Sequence, residues 1–277
     1  MNRIHNYACL IFFTVFFSLL SNFAMASVLI VGGSKVLESD PIAATTVALM
    51  INAKNDGQFK FHCTASILDQ NILVTAAHCV CPNPKSAPPA AHPNQLKVVF
   101  GLEVKRPKQV IAISDIKVHP NYLGYLDADQ VDMADIAIIK LASPLPDGYH
   151  AAKILDPKEP LLAGEIVTLA GYGRTSMDMF NTIGTLRRVN TTILNPNFGT
   201  SEIEIEQSNG QGACFGDSGG PAFVNINGAL FLWGVTNHLY PQGINTALDC
   251  KHQIIYANIN AHLDFIAKSI AEMQVNH

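Results

Sequence analysis

Gly216-Asp217-Ser218-Gly219-Gly220-Pro221 decides the reading of this chain, because Thr75-Ala76-Ala77-His78-Cys79 and Asp135-Ile136-Ala137-Ile138-Ile139-Lys140-Leu141 stand upstream of it. A histidine, an aspartate and a serine are the three groups that turn a hydroxyl into a nucleophile near neutral pH. Here they occur in the order His, Asp, Ser. A serine between glycines is by itself most often a turn, and a lone histidine is most often a surface or satisfied core residue. Ala76-Ala77 before His78 and Cys79 after it lift it above that baseline. The other nine histidines form neither an H-E-x-x-H nor a Cys/His metal spacing. Asp135 directly precedes an alternating apolar stretch, where a carboxylate can be buried against an imidazole. Asp127, Asp129 and Asp132 compete with it, but they lie in a polar stretch with no apolar run behind them and read as loop residues.

Gly216 to Gly220 also fits the G-x-S-x-G elbow of the α/β-hydrolases, whose acid and histidine follow the serine in the chain. No such Asp-then-His pair follows Ser218. Taken together, the three segments resemble the chymotrypsin-like serine endopeptidases, from about Ile30 to the C-terminus. Leu145-Pro146, Val118-His119-Pro120-Asn121-Tyr122 and Ala170-Gly171-Tyr172-Gly173-Arg174-Thr175 match further landmarks of that family.

The resemblance implies an all-β fold of two six-stranded antiparallel barrels with a C-terminal helix, and a secreted endopeptidase that works through an acyl-enzyme. Ser218 is then the nucleophile, His78 the general base and acid, and Asp135 the third member. Attack on a carbonyl builds a negative oxygen, and the backbone N–H groups of Gly216 and Ser218 are the donors for it. Trp233-Gly234 matches the strand that pairs with an extended substrate, with Leu232 standing where the family usually has a serine that supports the aspartate. Gly212 and Ala213 fall at the floor of the specificity pocket. Without an acid there, a basic side chain at the P1 position finds no partner, and Ile254 on the pocket wall shortens it, so an apolar P1 residue is expected. Asp249, in the segment before Cys250, is the one group that could restore a basic preference. Family pairing joins Cys63 to Cys79 and Cys214 to Cys250, leaving Cys81 over as an exposed or half-buried thiol, with an intermolecular bridge as the alternative. Ile30-Val31-Gly32-Gly33 matches the new terminus made by zymogen cleavage, whose amine pairs with Asp217. The alternative from another class is a catalytically silent relative that binds a partner through the same surface.

Arg3 precedes an apolar core of at most Ala8 to Phe23, followed by Ala24-Met25-Ala26. That core is shorter than the roughly 18 to 20 residues of a spanning helix, so residues 1–26 read as a cleaved secretory signal and stable membrane insertion is not expected. Ser27-Val28-Leu29 would remain as a short pro-segment, ending in Leu where trypsin-activated relatives have a basic residue. Removal of the signal takes away one charge, Arg3, and leaves a net charge of about −5 spread thinly along the chain. No basic run interleaves with aromatics, so a nucleic-acid partner is not expected and the partner is a protein or peptide substrate. Neither a metal nor an organic cofactor is expected: the calcium loop of some relatives would fall at Gly101 to Ile113, where Glu103 is the sole carboxylate.

Apolar runs bounded by Gly, Pro, Asn and Asp predict strands at Ser66 to Thr75, Lys97 to Phe100, Gln109 to Val118, Ile136 to Lys140, Ile166 to Ala170, Leu230 to Trp233 and Ile254 to Ala257. Cys81 to Pro93, with five prolines, and Asn237 to Asp249 read as insertions near the site. Ile259, Leu263, Ile266, Ile270 and Met273 fall at helical spacing and predict a C-terminal amphipathic helix docked on the body.

Overall fold

Alternation of β-branched and small polar residues favours short strands that bury one face, and in the computed structural model of the protein these strands close into two antiparallel barrels. The structure describes residues 30–81, 91–122, 124, 131–175, 182–240, 250 and 252–275. The expected signal and pro-segment, Asp127, Asp129, Asp249 and most of the proline-rich insertion lie outside them.

After the two-residue strand β1 (Ser34–Lys35), the first barrel is built from β2 (Thr46–Ile51), β3 (Lys60–Asp69), β4 (Ile72–Thr75), β5 (Leu96–Phe100), β6 (Gln109–Val118) and β7 (Ala137–Leu141). Its closed order is β2-β3-β4-β7-β6-β5. The single strand expected over Ser66 to Thr75 is therefore two, turned at Gln70-Asn71. A short parallel strand, β8 (Lys153–Ile154), precedes the second barrel of β9 (Ile166–Gly171), β10 (Arg187–Asn195), β11 (Glu202–Ile205), β12 (Pro221–Ile226), β13 (Ala229–Tyr240) and β14 (Gln253–Asn258). Here β10 pairs with both β11 and β9, which closes the ring. Asn227 and Gly228, both at positive φ, make the tight turn that reverses β12 into β13.

Closing a sheet on itself points alternate side chains inward. Val47, Leu49, Ile67, Leu73, Val98 and Ile138 fill one interior. Val167, Leu169, Ile205, Val224, Trp233 and Tyr256 fill the other. β13 runs well beyond the expected Trp233, so Asn237 to Tyr240 are strand, not loop, and Leu239 and Tyr240 pair with Ile254 and Gln253 of β14. At the C-terminus Ile259 to His262 form a 3-10 turn that leads into α2 (Leu263–Val275). The helix buries Ile266 and Met273, and the Lys140 ammonium of β7 donates to the Met273 carbonyl in its last turn. Among the described residues no helix is long and apolar enough to cross a membrane.

Candidate active site

Thr75 of β4 pairs with Ala137 of β7, which brings the segment just after one strand beside the segment just before the other. The first carries the single-turn helix α1 (Ala77–Val80) with His78, and the second carries Asp135. The Asp135 carboxylate is 0% exposed. Its Oδ2 lies 2.7 Å from His78 Nδ1 and its Oδ1 accepts from the His78 backbone N–H at 2.8 Å. A carboxylate at Nδ1 selects the tautomer that leaves Nε2 as proton acceptor, and the His78 side chain keeps 20% of its surface exposed. Disulfide Cys63–Cys79 pins this turn to β3. Cys63, His78 and Cys79 are grouped closely enough for a metal, but both sulfurs belong to that disulfide.

Ser218 comes from the other barrel, in the turn before β12, and three threonines hold the turn. The Thr64 N–H of β3 donates to the Ser218 carbonyl at 2.9 Å, while the Thr64 hydroxyl donates to the Gly216 carbonyl at 3.0 Å and accepts from Tyr172 N–H at 3.1 Å. Thr75 packs against Gly219, which sits at φ +77° and has no room for a Cβ. Thr236 of β13 accepts from Gly219 N–H and donates to the Gly220 carbonyl. Gly216 and Ser218, the expected oxyanion donors, are thus held by Thr64 of the first barrel, and Gly219 and Gly220 after them by Thr236 of the second.

Asp217 is fully buried. Its Oδ1 accepts from Gly173 N–H and its Oδ2 from Cys214 N–H, each at 2.8 Å. Burial nonetheless pushes its carboxyl up to about 7, outweighing those two N–H groups and the Arg187 guanidinium. Ile30 is buried within the second barrel at φ +62°, a costly conformation for a β-branched residue. The Val31 carbonyl after it accepts from Gly212 N–H.

Cys214–Cys250 is the second disulfide, as expected from the family pairing. Cys81 lies in neither bridge and is buried, where an exposed or half-buried thiol was expected. Burial, with the Asp135 charge nearby, pushes its thiol up. Gly212 and Ala213 lead into the serine turn, and Ile254 on β14 pairs with Ile205 of β11. The structure does not bring Trp233 and Gly234 to the cleft. Trp233 is 0% exposed, packed on Tyr256 at 5.6 Å, and Gly234 is covered by Tyr256 and Ala222. Leu232 is also a core residue. β13 approaches the histidine–aspartate pair further on, at His238, which feels the charges of both Asp135 and His78. Burial first, and His78 second, lower the pKa of His62 to about 4; burial, with an opposing pull from Asp135, does the same for His238, so both are neutral beside the His78 imidazole near pH 7.

Asp132, the nearest rival to Asp135, has another task. Its carboxylate accepts from the N–H and hydroxyl groups of Thr200 and Ser201, at 2.7 to 2.9 Å. Burial raises its pKa, but these four bonds win and hold it low. Glu202 of β11 returns the favour by accepting from the N–H groups of Asp132 and Met133. Thr64, Thr236, His238 and Glu202 carried no signal in the sequence, because each acts through a contact with a segment distant in the chain.

Residues 31–266 match the sequence profile of the family described as Trypsin. The chain is 29% identical to Trypsin-1 of Astacus astacus over 227 residues, covering 75% of this chain and 88% of that protein. It is 27% identical to Chymotrypsin-like elastase family member 1 of Macaca fascicularis, over 78% of this chain and 81% of the relative. It is also 27% identical to the Venom peptide isomerase heavy chain of Agelenopsis aperta, over 79% and 93%. With two closed barrels, two disulfides, a bonded histidine–aspartate pair and a family match over residues 31–266, the chain belongs to the trypsin family of serine proteases.

Proposed function

We propose that the protein is a secreted serine endopeptidase that cleaves peptide bonds through Ser218, His78 and Asp135. The observation that carries this reading is the fully buried Asp135 carboxylate bonded at 2.7 Å to His78 Nδ1, with the serine turn locked to β3 by Thr64. Ser218 Oγ attacks the scissile carbonyl carbon as its proton passes to His78 Nε2, and the carbonyl becomes an oxyanion facing the N–H groups of Gly216 and Ser218. Collapse expels the amine, which takes the proton from His78 and leaves an ester on Ser218. Water then repeats the sequence and releases the acid. The second barrel presents the segment after Thr236, not Trp233-Gly234, to an extended substrate.

Activation is proposed at Leu29-Ile30. Cutting that bond abolishes the φ constraint on Ile30 and supplies an amine to a buried carboxylate whose proton affinity is raised to about 7. Residues 1–26 act as the secretory signal, and an apolar P1 residue such as Leu, Val or Met suits both Gly212 and the chain's own Leu29. A serine-directed fluorophosphonate tests the core of the reading. Labelling at Ser218, lost in Ser218→Ala and His78→Ala alike, is expected; a mature protein that folds and does not label is a silent binding relative instead.

A further inference from the structure

Gly212 has no side chain to offer as a pocket floor, yet the place of that side chain is taken. Oε1, Cδ and Cγ of Gln207 all lie closer to the position of a Gly212 Cβ than any real Cβ could approach. Gln207 lies two residues past Ile205 of β11, which pairs with Ile254 on β14. It is 0% exposed. Its amide is engaged on both sides: Ala213 N–H donates to Oε1 at 2.6 Å, and Nε2 donates to the carbonyls of His252 at 2.8 Å and Cys250 at 3.3 Å. Those partners sit on the two segments that Cys214–Cys250 ties together. A single neutral side chain therefore braces the segment leading to Ser218 against the segment opposite it, and does so in the space a longer residue at position 212 would occupy.

We propose that Gln207, not the residue at 212, sets the depth and polarity of the primary specificity pocket. The inference rests on the endopeptidase reading above. A primary amide cannot ionise, and both of its hydrogens are already used on carbonyl oxygens, so it offers neither an anion to a basic P1 side chain nor a free donor to an acidic one. Its bulk ends the pocket early. The substrate class that follows is a peptide with a medium aliphatic P1 residue, with aromatic and basic residues excluded.

The test begins with fluorophosphonate titration of the mature enzyme, followed by P1 profiling on a peptide library. Wild type is expected to cleave after Leu, Val or Met at least tenfold better, by kcat/KM, than after Phe, Tyr, Lys or Arg. Gln207→Ala opens the floor and should move the Phe-to-Leu ratio by about tenfold or more, the scale of a few methylenes in an apolar pocket. Gln207→Glu keeps the length and adds a charge, so it should raise cleavage after Lys and Arg even if the alanine variant fails to fold. A wild-type preference for aromatic or basic P1 residues, or folded and titratable variants with an unchanged profile, overturns the role of Gln207 alone. Absence of labelling in the wild type overturns the peptidase reading and this proposal with it.

Discussion

Asp217 sits next to Ser218, the proposed nucleophile, and its surroundings in the uncut chain are those of a carboxylic acid held partly protonated. Burial raises it from 3.8 to about 7 despite N–H donors from Cys214 and Gly173. A carboxyl raised in the folded state binds its proton there before the unfolded chain does, so between 3.8 and about 7 the native form carries more protons. Its contribution to stability is complete below the unfolded value and is lost as pH climbs through the folded one. Uncut Ser218→Ala should therefore gain stability relative to uncut Ser218→Ala/Asp217→Asn as pH falls from about 8 to about 5, measured by urea unfolding. A difference that shrinks on acidification would mean that Asp217 is already paired with a cation before the cut. Asp132 makes a second residue-scale test. Asp135→Asn should cost about 10⁴ in kcat, as loss of the carboxylate that orients the base does. Asp132→Asn, which weakens bonds to Thr200 and Ser201 only, should cost less than about tenfold in kcat and about 1 to 3 kcal/mol in stability.

Between elements, the decisive contact is β3 against the turn before β12. Thr64 bonds both Gly216 and Ser218 through its hydroxyl and its N–H, so the donors of the proposed oxyanion hole inherit their position from the opposite barrel. Thr64→Val keeps the shape and the backbone bond but loses the hydroxyl that donates to the Gly216 carbonyl and accepts from Tyr172 N–H, so some loss of stability is expected as well. A net worth of about 0.5 to 1.5 kcal/mol for such a bond corresponds to a fall in kcat of about 2- to 12-fold. KM should barely move, and Thr64→Ser should restore the rate; a rise in KM with kcat intact would place Thr64 in substrate binding instead. β13 carries the complementary lesson. The sequence reading ended the strand at Trp233 and took Asn237 to Asp249 as an insertion, whereas pairing of Leu239 with Ile254 carries the strand on to Tyr240 and puts His238 near His78 and Asp135.

Across the whole molecule, each barrel contributes half of the site and α2 seals the first barrel's outer face through Ile266 and Met273. Met273→Ala leaves a cavity under the last helical turn and should cost about 2 to 5 kcal/mol, read by urea unfolding, with kcat of the folded enzyme unchanged. A loss of kcat at full stability would show that α2 reports to the site. The segments that carry His78, Asp135 and Ser218 were legible in the sequence because each is a short stretch with its own local pattern, and their resemblance to one family implied the two barrels that the structure shows. Strand cores at Gln109 to Val118 and Ile136 to Lys140 were legible for the same reason: two-residue alternation is a local property. Which neighbours those segments meet was not. Trp233-Gly234 looked like a substrate strand by its letters, yet barrel closure turns Trp233 onto Tyr256 and hands the cleft to residues further along. Gly212 read as an open position, yet the Gln207 side chain five residues earlier occupies the place its own side chain would take. Sequence alone determined what is written within a few consecutive residues, namely the strand periods, the three site segments and the cysteines; only the tertiary structure decided contacts such as Thr64 to Gly216 and Gln207 to Ala213, because a contact energy depends on distances that chain order does not contain.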